Sequence, residues 1–247
     1  MSARARGQAL LDLIDWRRRM AGHWETWRQG AATDPIAATM LFRFARDGML
    51  KGHPQSPLPE RRRRAFKGAE YWHYDPAWRL RGRLIPCDMA SASGARSVSA
   101  SASRRASMTS ATALLEAALT APAEVGLPWS ATPVATLRRI GDLTLNGPLA
   151  GETLPAFWVE GYTGGLFVPF LDATSGTESY GAGRYLLDTA KSADHGVDPA
   201  TGELILDFNM AFDPSCAYDP RWACPLAPPD SRLAMPIRVG ERLPTST

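Results

Sequence analysis

Residues 134–171 read VATLRRIGDLTLNGPLAGETLPAFWVEGYTGGLFVPFL. The stretch breaks into short strand-like runs, Val134–Ile140, Leu143–Leu145, Leu154–Glu160 and Leu166–Leu171, with Asn146-Gly147 and Thr163-Gly164-Gly165 between them as turns. Three further runs follow at Arg184–Asp188, Glu203–Phe208 and Pro236–Val239, with Ser175-Gly176 as another turn. Strands this close together, with no helix between them, predict an antiparallel sandwich or barrel.

Upstream the period changes. Leu13, Trp16, Met20, Trp24 and Trp27 recur at spacings of three and four, which puts them on one face of a helix. Asp34-Pro35 supplies a capping carboxylate and a proline at the first helical position, so a second helix starts there. Its expected apolar face is Ile36, Met40, Leu41 and Phe44, and it should end near Gly48 to Gly52. In Trp78–Leu84 apolar or small residues alternate with Arg79, Arg81 and Arg83, the pattern of a half-buried strand with a cationic outer face. The expected fold is therefore α+β, amino-terminal helices packed on a mostly antiparallel β sandwich or barrel. Residues 1–86 form its basic helical part with the first strands and residues 134–247 its β-rich part, together one domain. Residues 87–133, rich in Ser and Ala, are expected to be an insert, since such a tract cannot bury enough apolar surface to offset its ordering entropy.

Composition bounds the function. The 247 residues carry a net charge of +3, but the charge is split: residues 1–84 hold 17 Lys and Arg against 8 Asp and Glu, and the remainder holds 11 against 17. Basic helices docking on an acidic body account for this split. A basic third can also bind an acidic partner, but no nucleic-acid motif accompanies the charge, so nucleic acid is not expected. No run reaches the ~18 apolar residues of a membrane span, and neither a membrane partner nor an export signal is expected. Three Cys without such a signal suggest a reducing, cytoplasmic setting.

The densest cluster of special residues runs from Leu206 to Pro225. Asp207 and Asn209 project from a strand end into a proline-broken, aromatic-rich segment. They can line a pocket or satisfy backbone groups that lack ladder partners. Cys216 and Cys224, separated by seven residues, lack the close Cys-x-x-Cys pair of a zinc site, and no metal is expected. They can be inert buried thiols, a bridge, or a nucleophile with a neighbour that lowers its pKa. Gly181-Ala182-Gly183-Arg184 offers a close backbone approach and a cation for a small anionic ligand, or a plain ion pair between Arg184 and Asp207.

These residues carry a resemblance. Asp172-Ala173-Thr174-Ser175-Gly176, Tyr180-Gly181-Ala182-Gly183-Arg184-Tyr185-Leu186, Leu206-Asp207-Phe208-Asn209, Cys216-Ala217-Tyr218, Cys224-Pro225-Leu226 and Ile237-Arg238-Val239-Gly240-Glu241 resemble the bacterial and archaeal family of domain of unknown function 1684. His53-Pro54-Gln55-Ser56-Pro57-Leu58, Phe66-Lys67-Gly68 and Tyr74-Asp75-Pro76 are similar to an actinobacterial branch of it. The resemblance implies that Arg184, Asp207, Asn209, Cys216, Tyr218 and Cys224 stand at signature positions; it brings no reaction, cofactor or catalytic residue. The chain departs from the family at Met210, where Arg is usual, at Phe212-Asp213, where Tyr-Asn is usual, and at Ser215, where Pro is usual. The expected pocket is walled by Arg184, Tyr180, Asp207, Asn209, Cys216, Tyr218 and Cys224, with Arg43, Arg46 and His53 approaching from the helices. The competing expectation is an interaction module that binds an acidic partner through the Arg-rich third. Neither a cofactor nor an oligomeric state is legible.

Overall fold

The structure, a computed structural model, describes residues 3–87, 124–125, 127–132, 134–161 and 164–243. Most of the Ser/Ala-rich tract, with the short helix that Thr112–Ala121 can form, lies outside the described residues.

The chain opens with a helical hairpin. Helix α1 (Ala3–Ala31) buries Trp24 and Trp27, as their spacing predicts. Helix α2 (Pro35–Gly52) begins where Asp34 accepts a hydrogen bond from the Ala37 amide at 3.0 Å. Its inner face differs from expectation. Ile36, Met40, Leu41 and Phe44 are exposed, and the helix buries Ala38, Thr39, Phe42, Arg46, Met49 and Leu50 instead. The cause is steric. Trp27 donates to Thr39 at 3.1 Å, the Trp24 and Phe42 rings lie 4.3 Å apart, and a Cβ on Gly30 would stand 3.1 Å from that of Ala38. Phe42 packs on Trp24 and Ala38 on Gly30, so the face of α2 that meets α1 carries Ala38, Thr39 and Phe42, and Ile36, Met40, Leu41 and Phe44 fall on the outer side.

A short helix α3 (Glu60–Arg63) leads to strands β1 (Glu70–Tyr71) and β2 (Arg79–Pro86). There follow β3 (Glu124–Val125), β4 (Leu137–Leu145), β5 (Thr153–Val159), β6 (Gly165–Phe170), β7 (Arg184–Asp188), β8 (Leu204–Asp207), the helical turn α4 (Ser215–Tyr218) and β9 (Glu241–Arg242). The main sheet has the order β7-β6-β5-β4-β2-β8, with β3 on β4, and every pairing is antiparallel. The two predicted runs at 134–145 are one strand with a bulge between Arg139 and Gly141. At the far edge Tyr185 of β7 exchanges two backbone hydrogen bonds, 2.9 and 3.1 Å, with Phe212 just past β8. The sheet thus curls into a nearly closed barrel. Its interior is filled by Ile140, Leu143, Leu154, Val168, Phe170, Leu186, Leu206 and Phe208, all fully buried, each stabilising by about 1.5–3 kcal/mol relative to exposure. The run Pro236–Val239 is not a strand; the carbonyls of Ile237 and Val239 face the Arg184 guanidinium rather than a neighbouring ladder.

The hairpin and barrel meet at Trp24, Trp27, Ala31, Ala38 and Phe42 against Ala193 and Met210. His195 is sealed into this seam, its ring 5.6 and 5.1 Å from those of Trp24 and Trp27. Its Nδ1 accepts from the Asp207 amide at 3.1 Å. Burial, with Arg79 and Arg28 nearby, pushes its pKa down to about 3. Below the unfolded value of 6.5 the unfolded chain gains a proton that the folded one refuses. Stability should therefore fall by about 1.4 kcal/mol for each unit of pH between about 6.5 and 3. Urea titrations across that range should show this slope, and it should flatten in His195→Gln; equal slopes in both proteins would refute the assignment.

Candidate functional site

The residues singled out in the sequence separate into five places. Arg184 is buried inside the barrel mouth. Its guanidinium donates to Asp172 Oδ2 at 2.8 Å and to the carbonyls of Val239, Ile237 and Glu241 at 2.6, 2.8 and 3.1 Å. The fully buried Asp172 also accepts from Thr174, through its amide and hydroxyl, and from the Ile237 amide. Arg184 therefore pairs with Asp172, not with Asp207. Gly183 beside it has φ +91°, and a Cβ there would lie 2.5 Å from the Phe170 carbonyl oxygen. The close backbone approach is to the chain's own strand β6.

Asp207 accepts from Tyr74 and Arg79 on one oxygen and from the amide and side chain of Asn209 on the other. Asn209 accepts from the Asp75 amide at 2.8 Å and donates to the Asp75 carbonyl at 2.9 Å. This fastens the Tyr74-Asp75-Pro76 turn to the end of β8, as an irregular segment without ladder partners requires. Arg43 donates to the carbonyls of Trp72 and Asn209. Arg46 donates to the Tyr71 and Tyr218 hydroxyls and pairs with Glu241 at 2.9 Å, while Tyr218 donates to that same carboxylate. The void among Arg43, Arg46, Tyr71, Asn209, Met210 and Phe212 is about 10 Å³, at the lower limit for a single water. His53 stands apart, on an open groove of about 840 Å³ between α1 and α2 that also exposes Asp12, Asp15, Arg19 and His23. Its Nδ1 accepts from the Gln55 amide and its Nε2 lies 3.2 Å from Asp15, so both nitrogens are engaged.

The fifth place brings Cys216, Cys224 and Tyr180 together. Pro214, Pro220 and Pro225 keep the segment from regular pairing and fold it back, so that the two thiols meet. Segment 127–130 closes over them: Leu226 and Ser130 amides bond to the Pro128 and Cys224 carbonyls, and the Ser130 hydroxyl accepts from the Cys224 amide at 3.0 Å. The Cys216 sulfur accepts a hydrogen bond from the Tyr180 hydroxyl at 3.7 Å, while the Ser130 hydroxyl donates to the Trp222 carbonyl at 2.8 Å. The neighbouring Cys224 thiol first, and then the Tyr180 hydroxyl, hold the Cys216 thiol down at about 6 against the opposing effect of burial. The same contact pushes Cys224 up, and burial raises Tyr180. Both cysteines are nearly buried, Cys216 7% and Cys224 4% exposed.

Sequence reasoning gave no role to three residues that organise these places: Asp172, Glu241 and Ser130. The first two stand inside the quoted motifs, and their burial could not be read there. Ser130 falls in the stretch taken for an insert. Among the described residues no group of three or more His, Cys, Asp or Glu side chains is placed to hold a metal ion.

With this geometry in place the relatives are informative. Residues 109–242 match the family described as "Protein of unknown function (DUF1684)". The chain belongs to this family. The match begins upstream of Ser130. An uncharacterized protein of Haloarcula marismortui, solved by solution NMR, is 25% identical, with a TM-score of 0.54 over 87% of this chain and 97% of its own. No curated protein is detectably similar.

Two substitutions test the frame around the thiols. Arg184→Met removes the cation and leaves Asp172 buried without its partner, so it should cost about 3–5 kcal/mol in chemical denaturation. Gly183→Ala should cost about 1–3 kcal/mol, through the positive φ and the clash with Phe170, while Gly181→Ala should stay within about 1 kcal/mol. Equal losses at the two glycines would contradict the packing reason given for Gly183.

Proposed function

We propose that the protein is a thiol redox protein whose centre is the Cys216–Cys224 pair and whose oxidant is a small hydroperoxide. The observation that carries this reading is the nearly buried Cys216 sulfur, which accepts from the Tyr180 hydroxyl at 3.7 Å and has in Cys224 the neighbour that most lowers its thiol. The thiolate is the reactive form of cysteine, and these neighbours favour it near neutral pH. A second thiol in contact resolves the first oxidation product. Near-complete burial of both residues favours the smallest two-electron oxidants over bulky disulfides.

In the first step the Cys216 thiolate attacks one oxygen of the hydroperoxide. An S–O bond forms, the O–O bond breaks, sulfur is oxidised to the sulfenic acid, and the departing oxyanion takes a proton. In the second step Cys224 gives up its proton and attacks the Cys216 sulfur. The S–S bond forms, the S–O bond breaks, and hydroxide leaves as water. The sum is one dithiol and one hydrogen peroxide giving one disulfide and two waters. A reducing cytoplasmic setting would return the pair to thiols by exchange with small thiols.

The reading of the basic third as a dock for an acidic partner has less support. Arg28, Arg46, Arg79, Arg81 and Arg83 pair with Asp194, Glu241, Asp207, Asp198 and Glu203 of the chain's own acidic part.

The test is oxidation of the purified protein with hydrogen peroxide followed by peptide mass mapping. The expected product is a peptide pair joined through Cys216 and Cys224 and lighter by two hydrogens. Cys224→Ser should stop at a sulfenic acid on Cys216 that dimedone captures, and Cys216→Ser should oxidise at least about tenfold more slowly. Oxidation of Cys216 no faster than that of Cys87, or the absence of the joined peptides, would sink the reading.

A further inference from the structure

Helix α2 is apolar on two faces. Phe42, Met49 and Leu50 are buried within the protein, while Ile36, Met40, Leu41 and Phe44 face solvent, 45%, 65%, 67% and 81% exposed. A surface helix ordinarily turns its charged residues outward, opposite its buried stripe. Here the order is reversed. Arg43 donates to the Asn209 carbonyl, Arg46 pairs with the buried Glu241, and Asp47 accepts from the Ala69 amide, so the charges in the middle of the helix are spent on the chain's own groups. At about 200 Å² for a fully exposed side chain of this size, the four outer residues present roughly 500 Å² of apolar surface, at the upper end of what a monomer exposes in one patch.

Gly48 lies on the same outer stripe, which steps by three and four residues through Ala37, Met40, Leu41 and Phe44. A glycine inside a helix is a cost in backbone entropy. Gly30 of α1 has a visible reason, since a Cβ there would stand 3.1 Å from that of Ala38. Gly48 has none within its own chain: a Cβ there would meet nothing within 4 Å. The open space beside it fits the close approach of a second helix.

We propose that the outer face of α2 joins two copies of this chain as a symmetric dimer, with the two α2 helices antiparallel. The occupant is a second copy because the face complements itself. A two-fold axis midway between residues 42 and 43 sets Leu41 against Phe44 of the other copy, Ala37 against Gly48, and Met40 against Ala45. Large residues meet each other at the centre and small ones let the helices close at the ends. The same axis sets the exposed Asp34 at one helix start against the exposed Lys51 at the other helix end, and brings opposite ends of the two helix dipoles together. Two copies bury about 1,000 Å² from the four apolar side chains alone, the size at which a specific interface begins. The dimer is independent of the thiol chemistry.

Sedimentation equilibrium of the purified chain, in a reductant that keeps the cysteines from bridging, reads the state directly. From about 1 to about 200 μM the wild-type mass should rise toward twice 26.8 kDa. Leu41→Glu with Phe44→Glu should hold the mass at one chain throughout, with an unchanged circular dichroism spectrum because both side chains are exposed. Gly48→Leu should weaken the dimer at least about tenfold although its own chain has room for the side chain. A wild-type mass of one chain at every concentration overturns the proposal without any variant; flotation of that monomer with phosphatidylglycerol vesicles would give the face to a lipid surface instead. A dimer that survives Leu41→Glu with Phe44→Glu overturns the choice of face, and one indifferent to Gly48→Leu overturns the antiparallel seating.

Discussion

One buried cation organises this molecule. Arg184 is taken out of water at the end of the barrel, and a guanidinium there demands compensation for every donor it buries. Asp172 supplies the charge, and the carbonyls of Ile237, Val239 and Glu241 supply the rest. The consequence is a chain of dependent positions. The stretch 237–241 is wrapped around the guanidinium instead of joining the sheet, and this delivers Glu241 to the seam with the helices. Glu241 receives Arg46 from α2 and Tyr218 from α4 and fixes the amide of Asp213. The turn that carries Cys216 is thus positioned, through Glu241, by an ion pair inside the barrel.

The charge split of the sequence has the same explanation at larger scale. The basic third and the acidic remainder meet in ion pairs of unequal weight. Arg46–Glu241 is buried on both sides, so breaking it by removing one partner leaves an uncompensated charge. Arg81–Asp198 and Arg83–Glu203 hold half-exposed arginines on the outer face of β2, where such pairs contribute about 0–1 kcal/mol. Only the first kind decides how the helical hairpin sits. The second kind lies on the outer face of a strand that is already paired on both sides.

What the sequence disclosed follows from which forces act locally. The strands after Val134 were legible because alternation and glycine turns are properties of neighbouring residues, as was the cap at Asp34. The face of α2 was not, because it is set by Trp24 and Gly30 of another helix, against which Phe42 and Ala38 pack. Pro236–Val239 looked like a strand and is an irregular segment because its carbonyls are claimed by Arg184, fifty residues away in sequence. The cysteine pair was visible as two residues, but their surroundings, Tyr180 on the Cys216 sulfur and Ser130 on the Cys224 amide, come from distant segments that the spacing of the cysteines could not reveal.

The thiol site also shows why such a pair suits reversible chemistry in a fold of this kind. A disulfide closing a loop of nine residues stabilises the folded chain by about 2.5 kcal/mol in the chain-entropy picture. The lowered thiol of Cys216, held down chiefly by Cys224, favours the reduced, charged form instead. The two effects oppose each other. The hydrogen bond from Tyr180 is worth most to a charged sulfur and loses its anionic acceptor when the bridge forms, which adds to the reduced side. A pair under these opposing tendencies is suited to open and close, which is what the proposed redox role requires.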